Sequence, residues 1–382
     1  MGLARRIVEL IALGMIACFA ATAAQAGVGQ MRMGCRVLMD MGWRVTSAEM
    51  NLCGQELGSV FANVSPASYL RTTFTSADKS VGGRIELGVF SASNMSRLHG
   101  GITVKLRYAY GWWGGGGWRL TAGQTDNWFG STSFAPKQAV GLDYGHFLML
   151  GWGMLWPGLV PQVNIAFYHG QAGLQLAVEE PMASRITSWG TSPCTISYDM
   201  PRLSATLRYK NRFMAVSPGV SWSQVRAEGI DAHFTAWAVV FPVKVRAGSL
   251  IVKFQAHYGA NFALEYPFYP QSALPQELGN GRRSETTCWG GMASLEWKVG
   301  RAELVLGAGY ERFCNSQAWS SSRGYATDTT VRRCWLVGLP WKITKQFTIH
   351  PELACYDYGD NPLTGAHQGY EWIAGVQLRV IF

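Results

Sequence analysis

The C-terminal segment, residues 370–382, has a two-residue hydrophobic period. Every second residue is apolar or aromatic, and the intervening positions hold mostly polar or small residues. This is the period of a β-strand with one face in an apolar medium and the other toward water. Tyr370 and Trp372 lie at one end of the apolar face and Phe382 at the other. Aromatic residues at both ends match two membrane–water interfaces, so the pattern predicts a transmembrane strand.

The same period recurs along the chain and predicts sixteen strands. An even number brings both ends of a closed barrel to the same side of the membrane. We place the strands at residues 35–47, 66–75, 82–91, 101–111, 117–125, 161–169, 172–180, 202–210, 212–224, 231–245, 249–262, 285–298, 301–313, 330–342, 346–357 and 370–382. Fourteen or eighteen strands are alternatives, because residues 126–160 have no clear period.

The connections between these strands alternate between short and long. Short connections at 342–345, 298–301 and 246–248 separate long ones at 357–369, 314–329 and 263–284. Outer-membrane barrels have short periplasmic turns and longer external loops. The alternation therefore predicts an all-β fold, a transmembrane antiparallel β-barrel of about sixteen strands with long external loops and a periplasmic C-terminus.

The composition favours many half-buried strands over a helical protein. Aromatic residues make up 13% of the chain, charged residues only 15%, and there are 45 glycines. Strands joined by turns have this combination, and helical globules do not. No segment has 18 consecutive apolar residues, so the sequence predicts no transmembrane helix.

Residues 1–26 have the pattern of an export signal. Arg5 and Arg6 precede an apolar stretch at 7–20, and Ala24-Gln25-Ala26 forms a small-residue cleavage site. We expect cleavage after Ala26, which leaves residues 27–382 as a barrel in the bacterial outer membrane.

The chain is basic, with a formal net charge of +9. Nucleic-acid binding is the generic interpretation of a basic chain, but export makes nucleic acid an improbable partner. Charged side chains in a barrel avoid lipid and face the lumen or the loops. A positively charged lumen that attracts anions is therefore the better interpretation.

Strand phase assigns individual residues to the two faces. In the predicted strand 101–111, it directs Tyr108 and Tyr110 to lipid and Lys105 and Arg107 to the lumen. Glu303, Glu311, Glu352 and Glu371 also fall on inner faces, so the lumen is expected to be polarised. The predicted anion path is lined by Arg84, Lys105, Arg107, Arg119, Arg208 and Lys253.

Four of these cations, on three consecutive predicted strands, form one basic wall: Arg84, Lys105, Arg107 and Arg119. Such a wall attracts anions, and the planar fork of arginine suits carboxylates. The alternative is a solvated lining without selectivity, in which each charge pairs with a neighbour such as Glu86.

Seven cysteines follow residue 26, and none belongs to a CxxC pair. This spacing argues against a metal cluster or a haem site, so we expect no cofactor and no metal. Cys314 and Cys334 flank one loop, where a disulfide is possible in an oxidising compartment. The sequence leaves that pairing open.

Several short stretches resemble the DcaP-like porins, which are trimeric outer-membrane channels associated with the uptake of dicarboxylates and related organic anions. The resemblance implies a homotrimer, small anionic solutes and outer-membrane lipids as partners, and a barrel-assembly machinery that reads the terminal Phe382. Family members often begin with a helical coiled-coil extension, for which residues 27–34 leave no room. The stretches are residues 83–88 (GRIELG), 106–111 (LRYAYG), 119–125 (RLTAGQT), 237–240 (WAVV) and 248–261 (GSLIVKFQAHYGAN).

Residues 126–160 form the external connection after the fifth predicted strand. In general porins this position holds the loop that folds inward and narrows the pore. An inward constriction loop would bring polar residues into the lumen, among them Asp126, Lys137, Asp143 and His146. The alternative for this segment is two additional strands.

The leading functional prediction is a passive diffusion channel for small hydrophilic solutes, with a preference for anions such as carboxylates. An outer-membrane enzyme would need a nucleophile and base in one place, and the seven histidines are scattered without a G-x-S-x-G elbow. We therefore expect no enzymatic activity. A non-conducting structural or adhesive barrel is the second alternative, because long loops such as 181–201 and 263–284 could bind a partner.

Overall fold

The computed structural model describes residues 29–50, 54–65, 67–91, 102–139, 149–181, 195–228, 232–262, 266, 276–279, 282–314, 328–361 and 364–382. The predicted signal peptide, residues 1–26, lies outside them. Two single helical turns, Ala48–Met50 and Thr132–Phe134, lie wholly within this part of the chain. No described helix has the length and apolar composition needed to cross a bilayer.

The described residues form twenty-two β-segments. They are β1 (Gln30–Thr46), β2 (Leu57–Val64), β3 (Tyr69–Thr75), β4 (Val81–Ser91), β5 (Ile102–Gly115), β6 (Trp118–Thr125), β7 (Val160–His169), β8 (Ala172–Glu179), β9 (Thr195–Tyr198), β10 (Arg202–Lys210), β11 (Met214–Val216), β12 (Gly219–Glu228), β13 (Ala232–Ala247), β14 (Leu250–Ala260), β15 (Gln276–Gly279), β16 (Arg282–Ser284), β17 (Thr287–Val299), β18 (Ala302–Cys314), β19 (Thr329–Gly338), β20 (Trp341–Lys342), β21 (Phe347–Asp357) and β22 (Tyr370–Ile381).

Twenty of these segments form one antiparallel sheet, and β15 and β16 form a separate hairpin. The sheet closes into a barrel because the last segment, β22, pairs with β1 from Arg36↔Ile381 to Thr46↔Glu371. Four strands of the barrel are each built from two segments, namely β2 with β3, β9 with β10, β11 with β12, and β19 with β20. The described part of the chain therefore forms sixteen strands, which confirms the predicted fold class.

The short connections gather at one end of the barrel, as the alternation of connection lengths predicts. They are residues 76–80, 116–117, 170–171, 211–213, 248–249, 300–301 and 343–346. The connections at the other end are longer, except for residues 229–231 between β12 and β13. Among the longer ones is the connection from β6 to β7, whose described residues, 126–139 and 149–159, fold into the lumen, so the alternative of two additional strands is wrong for those residues.

The outer surface of the barrel is apolar and has an aromatic girdle at each end, as expected for contact with lipid. Exposed aromatic residues near the short turns are Trp113, Phe167, Tyr209, Phe213, Trp297 and Trp341. Exposed aromatic residues toward the opposite end are Trp43, Tyr258, Trp289, Trp335, Tyr370 and Trp372.

The second barrel strand begins earlier than its predicted start at residue 66. It starts at Leu57 and is interrupted at 65–68 before it continues from Tyr69. The period is obscured because Val60 points outward, 76% exposed, while the adjacent Phe61 is 6% exposed and packs inside the barrel. The prediction depends on alternation between apolar outer residues and polar inner residues, and an aromatic residue on the inner face interrupts that alternation.

The predicted orientation of Tyr108 and Tyr110 toward lipid is wrong. The pairing of β4 with β5 shifts register at a bulge, so Glu86 lies opposite Tyr108 while Leu87 lies opposite Leu106. The extra residue, Arg107, reverses the phase of the strand beyond it. Tyr108 and Tyr110 therefore face the lumen beside Glu86 and Arg84.

Closure of the barrel depends on close backbone approach at Gly42 in β1. A Cβ atom at this position would lie 2.2 Å from the carbonyl oxygen of Ala374 in β22. We expect Gly42→Val to destabilise the barrel by about 1–3 kcal/mol through overpacking at the seam. Semi-native gel electrophoresis at increasing temperature measures this as earlier loss of the folded band. Gly58→Val is the control, because nothing lies within 4 Å of a Cβ there, and equal melting of the two variants would contradict the prediction.

Candidate functional site

Residues 126–139 and 149–159, which we call the inserted loop, are held in the lumen by hydrogen bonds from their backbone. The amide of Ala139 donates to Glu352 Oε2 at 2.6 Å, and that of Gly153 to Glu311 Oε2 at 2.7 Å. The amide of Leu155 donates to Gln255 Oε1 at 2.6 Å. Charge-assisted bonds to backbone N–H groups satisfy buried carboxylates, so these contacts fix the path of the loop.

Two lysines complete the attachment of the inserted loop. Lys137 Nζ lies 3.2 Å from Glu296 Oε2 and 2.5 Å from Glu303 Oε1. Lys253 Nζ, on β14, lies 2.5 Å from Glu296 Oε1 and donates to the carbonyl oxygen of Ala135 at 2.7 Å. The carboxylates of Glu296, Glu303, Glu311 and Glu352, which we call the acidic face, are thus compensated by partners at the loop.

A second group of charges lies on contiguous strands on either side of the barrel seam. Arg379 is on β22, Arg36 on β1, Arg71 on β3, Arg84 on β4 and Arg107 on β5, and together we call them the arginine face. Its members line one cavity in the lumen.

The arginine face is organised around Tyr69 and the carbonyl oxygen of Ala67. The guanidinium of Arg36 lies 4.6 Å from the Tyr69 ring centroid, that of Arg71 5.3 Å and that of Arg107 5.9 Å. Arg36 donates to the Ala67 carbonyl from Nε at 3.1 Å and from NH2 at 2.7 Å, and Arg107 donates to it at 3.2 Å. Ala67 lies between β2 and β3, where its carbonyl accepts from side chains instead of a neighbouring strand, so an irregularity of the sheet positions two cations.

Glu86 is the acidic residue within the arginine face. It forms an ion pair with Arg84 and another with Arg107, whose NH1 lies 3.4 Å from Glu86 Oε1. The guanidinium of Arg84 also stacks over Tyr108 at 4.2 Å. One carboxylate is therefore shared between two arginines and leaves positive charge in excess.

The cavity between the arginine face and the inserted loop has a volume of about 630 Å³. Nine arginines and lysines line it, against two acidic residues, Glu86 and Glu303. The Nε atoms of Arg84 and Arg379 are buried without a hydrogen-bond partner in the protein. Buried donors of this kind can bind an anion that enters the cavity.

The six residues of the predicted anion path lie at different places in the structure. Arg84 and Arg107 line the cavity. Lys105 lies opposite Gly88, toward the end of the long loops, and Arg119 lies beside the turn at 116–117, with its guanidinium 5.5 Å from the Trp112 ring. The four residues of the basic wall are therefore spread along the barrel.

The other two predicted lining residues contact the inserted loop. Arg208 places its guanidinium 5.2 Å from the ring of Trp128. Lys253 is buried, and its contacts with Glu296 and Ala135 attach the loop to the barrel.

Of the four polar residues predicted for the constriction loop, Lys137 lines the cavity and Asp126 lies at its edge. Asp126 Oδ1 accepts a hydrogen bond from Trp156 Nε1 at 2.8 Å, and Oδ2 accepts one from Thr132 Oγ1 at 3.5 Å. Thr132 and Trp156 both line the cavity. Asp143 and His146 lie outside the described residues.

Sequence reasoning placed six of the nine cavity cations in neither the predicted path nor the constriction loop. Arg36 and Arg379 occupy inner-face positions of their strands, and Arg71 faces Glu86 across the β3–β4 pair. Strand phase is the signal that could have found these three. Lys298, Arg301 and Lys342 lie at or beside short turns, where phase gives no orientation.

The described cysteines are free thiols: Cys35, Cys288, Cys314, Cys334 and Cys355. The possible disulfide between Cys314 and Cys334 is therefore absent from the structure.

The chain matches no protein-family model. No curated protein matches it either. Several solved outer-membrane proteins, however, share its fold.

The outer membrane channel DcaP of Acinetobacter baumannii is 16% identical, with a TM-score of 0.72 over 93% of this chain and 97% of that chain. The anion-selective porin from Comamonas acidovorans is 12% identical, with a TM-score of 0.59 over 93% and 100%. The trimer form of OmpT of Vibrio cholerae is 10% identical, with a TM-score of 0.55 over 93% and 100%. At these identities the likeness establishes the fold, and the chain has the fold of the outer-membrane porins, the DcaP channel among them, as the sequence motifs predicted.

Proposed function

We propose that the protein is a passive diffusion channel of the bacterial outer membrane that favours small anions such as carboxylates. The observation that carries this proposal is the excess of nine basic over two acidic side chains around the lumenal cavity. A narrow passage lined by one sign of charge concentrates ions of the opposite sign.

The partners of the acidic face explain why the cavity is positive. Four carboxylates on β17, β18 and β21 would otherwise offset the arginine face. Loop amides bind Glu311 and Glu352, and lysines bind Glu296 and Glu303. The arginine face therefore dominates the field in the cavity.

The chemistry of the arginine face favours carboxylates among the anions. Arginine presents donors in a planar fork that matches the two oxygens of a carboxylate. Arg36, Arg71 and Arg107 surround the single ring of Tyr69, so several guanidinium groups lie within reach of one solute. The description of the Comamonas acidovorans neighbour as anion-selective agrees with this proposal.

We further propose that residues 1–26 are removed during export and that the mature barrel is a homotrimer. One solved neighbour is described in a trimer form, and the outer surface of β1 carries exposed Met31 and Met33. Phe382, which is exposed at the end of the chain, is the proposed contact for the barrel-assembly machinery. Native mass spectrometry in detergent is expected to give three copies of a chain that begins at Gly27, and a monomer that begins at Met1 would contradict both proposals.

Charge reversal at the arginine face tests the proposed function. The double variant Arg107→Glu/Arg379→Glu changes the cavity lining to seven basic and four acidic side chains, from nine and two. We expect it to lose most of its anion preference, because the positive field that concentrates anions is reduced. The zero-current potential of single channels in a salt gradient measures the change.

Arg119→Glu is the matched control, because Arg119 lies beside a short turn and does not line this cavity. We expect it to shift the zero-current potential less than either Arg107→Glu or Arg379→Glu alone. If Arg119→Glu shifts the potential as much as the single cavity variants do, an anion filter formed by the whole predicted basic wall would be favoured instead. An unchanged potential in the double variant would contradict the proposed filter, and a barrel without stepwise currents would favour a structural or adhesive role.

Asp126 is expected to make the anion preference depend on pH. Burial and, to a smaller extent, the nearby Glu179 raise the pKa of its carboxyl to about 7, after the opposing effect of the hydrogen bonds from Trp156 and Thr132. Below that pH the carboxyl is mainly neutral, so a negative charge at the edge of the cavity is removed. We expect a stronger anion preference at about pH 5.5 than at about pH 8.5.

Asp126→Asn provides the comparison for this pH dependence. His350 also lines the cavity, and the difference between wild type and variant separates Asp126 from the other titratable groups there. We expect the variant to have the low-pH selectivity of the wild type at both pH values. The same pH profile in both proteins would show that Asp126 has no part in it.

A further inference from the structure

Three side chains of the kinds that bind transition metals meet on the inner face of β14, β17 and β18. His257 Nε2 lies 2.6 Å from Glu311 Oε1, and Cys288 Sγ lies 2.8 Å from the same oxygen. One donor atom from each residue lies within 4.8 Å of the other two. The three residues are widely separated in sequence, so only the pairing of adjacent strands brings them together.

Gly290 allows this convergence. It lies opposite His257 in the β14–β17 pair and opposite Glu311 in the β17–β18 pair. A Cβ atom at Gly290 would lie 2.5 Å from Glu311 Oε2 and 2.7 Å from His257 Cε1. The side chains from both neighbouring strands therefore occupy the space above the glycine, and Cys288 joins them from two residues along the same strand.

The cluster is enclosed between the barrel and the inserted loop. The side chains of His257 and Glu311 have no exposed surface, and Cys288 is 3% exposed. Cys288 packs in an apolar group with Phe262, Phe313 and Leu155. Electrostatic attraction is strong where water is excluded, so a cation at this place would interact strongly with the two acidic ligands.

The hydrogen bonds of the cluster are compatible with replacement of protons by a metal ion. Glu311 Oε1 faces both the thiol of Cys288 and the imidazole of His257. The hydrogen bond with Glu311 Oε1 favours the ring proton on Nε2 in the metal-free protein, but His257 Nδ1 is buried without a hydrogen-bond partner, so no acceptor or donor there opposes a shift of that proton once Nε2 binds an ion. The ring proton can therefore reside on Nδ1 and leave Nε2 as a ligand.

We propose that His257, Cys288 and Glu311 form a binding site for Zn²⁺. Thiolate, imidazole and carboxylate are the three ligand types of zinc, whereas Mg²⁺ and Ca²⁺ prefer oxygen ligands alone. On binding, Cys288 releases its thiol proton to solvent, the imidazole proton moves to Nδ1, and zinc bonds form to sulfur, nitrogen and oxygen. One thiolate and one carboxylate balance the two charges of the ion, which favours burial of the complex.

The geometry also bears on the affinity of this site. Zinc bonds of about 2.0–2.3 Å in a tetrahedral arrangement require the three donor atoms to move apart from their present hydrogen-bonding separations. The cluster supplies three protein ligands, and no protein acceptor orients the Nδ1 proton. These features set an affinity below that of closed sites with four protein ligands and an oriented histidine.

The site would connect the metal to the inserted loop. The second oxygen of Glu311 accepts the hydrogen bond from Gly153, at the centre of the loop's contact with the acidic face. Arg332, which pairs with Glu311 across β18 and β19, turns its guanidinium onto the rings of Trp152 and Tyr358. Both Gly153 and Trp152 belong to the inserted loop, so movement of Glu311 toward an ion acts on the constriction directly.

Co²⁺ substitution tests the proposal, because a thiolate bound to Co²⁺ produces a charge-transfer absorption band. The mature protein is refolded into detergent with Co²⁺ or Zn²⁺ present, so that burial of the site does not prevent entry. We expect one ion per chain, the sulfur-to-cobalt band in the wild type, and displacement of Co²⁺ by Zn²⁺. A folded wild-type barrel without this band would overturn the proposal, whatever the behaviour of the variants.

Cys288→Ser and His257→Gln assign the ligands. We expect each to lower the affinity for Zn²⁺ by more than the tenfold to hundredfold, roughly, that loss of a residue supporting a ligand costs, and Cys288→Ser to abolish the band. Cys355→Ser is the matched control, since Cys355 is another buried free thiol, on β21, and it should bind as the wild type does. Equal binding by the wild type and Cys288→Ser, with both folded by gel mobility, would show a cluster that is hydrogen-bonded only.

Discussion

The arrangement of the lumen depends on pairing between the inserted loop and the acidic face. A buried carboxylate is costly unless charge or hydrogen bonds compensate it. Glu296, Glu303, Glu311 and Glu352 meet this requirement with amides and lysines at the loop. Their pairing fixes the position of the constriction and also removes their negative charge from the passage. The positive potential of the cavity is therefore a consequence of how the loop is held.

The membrane explains why so many charges share one lumen. Charged side chains are destabilising on the lipid-facing surface, so the charged residues of the strands face the lumen and are paired there. Across the seam, from β22 through β1 to β5, the charged residues are mostly arginines. They gather around Tyr69 and the Ala67 carbonyl, and Glu86 lies between two of them. The bulge at Arg107 adds Tyr108 to this group, where Arg84 stacks on it. Local irregularities of the sheet therefore shape the lining as much as its regular alternation does.

The two-residue period predicts the barrel, the strand count and the positions of the short turns, because each depends on local sequence alone. It fails at Phe61 and Tyr108, where an aromatic residue packs inside and the alternation no longer separates lipid from lumen. It places Lys253 on the correct face but gives no hint of its contact with Ala135. Contacts between the inserted loop and strands far along the chain, such as Gln377 with Ala139, arise only from closure of the barrel.

Removal of the inserted loop is the most direct test of this account. A variant in which a short glycine-serine linker replaces residues 130–157 would expose the acidic face to the passage. We expect its single channels to conduct more current than the wild type and to shift their ion selectivity toward cations in a salt gradient. A wider channel with the same ion selectivity as the wild type would contradict the claim that the loop neutralises the acidic face.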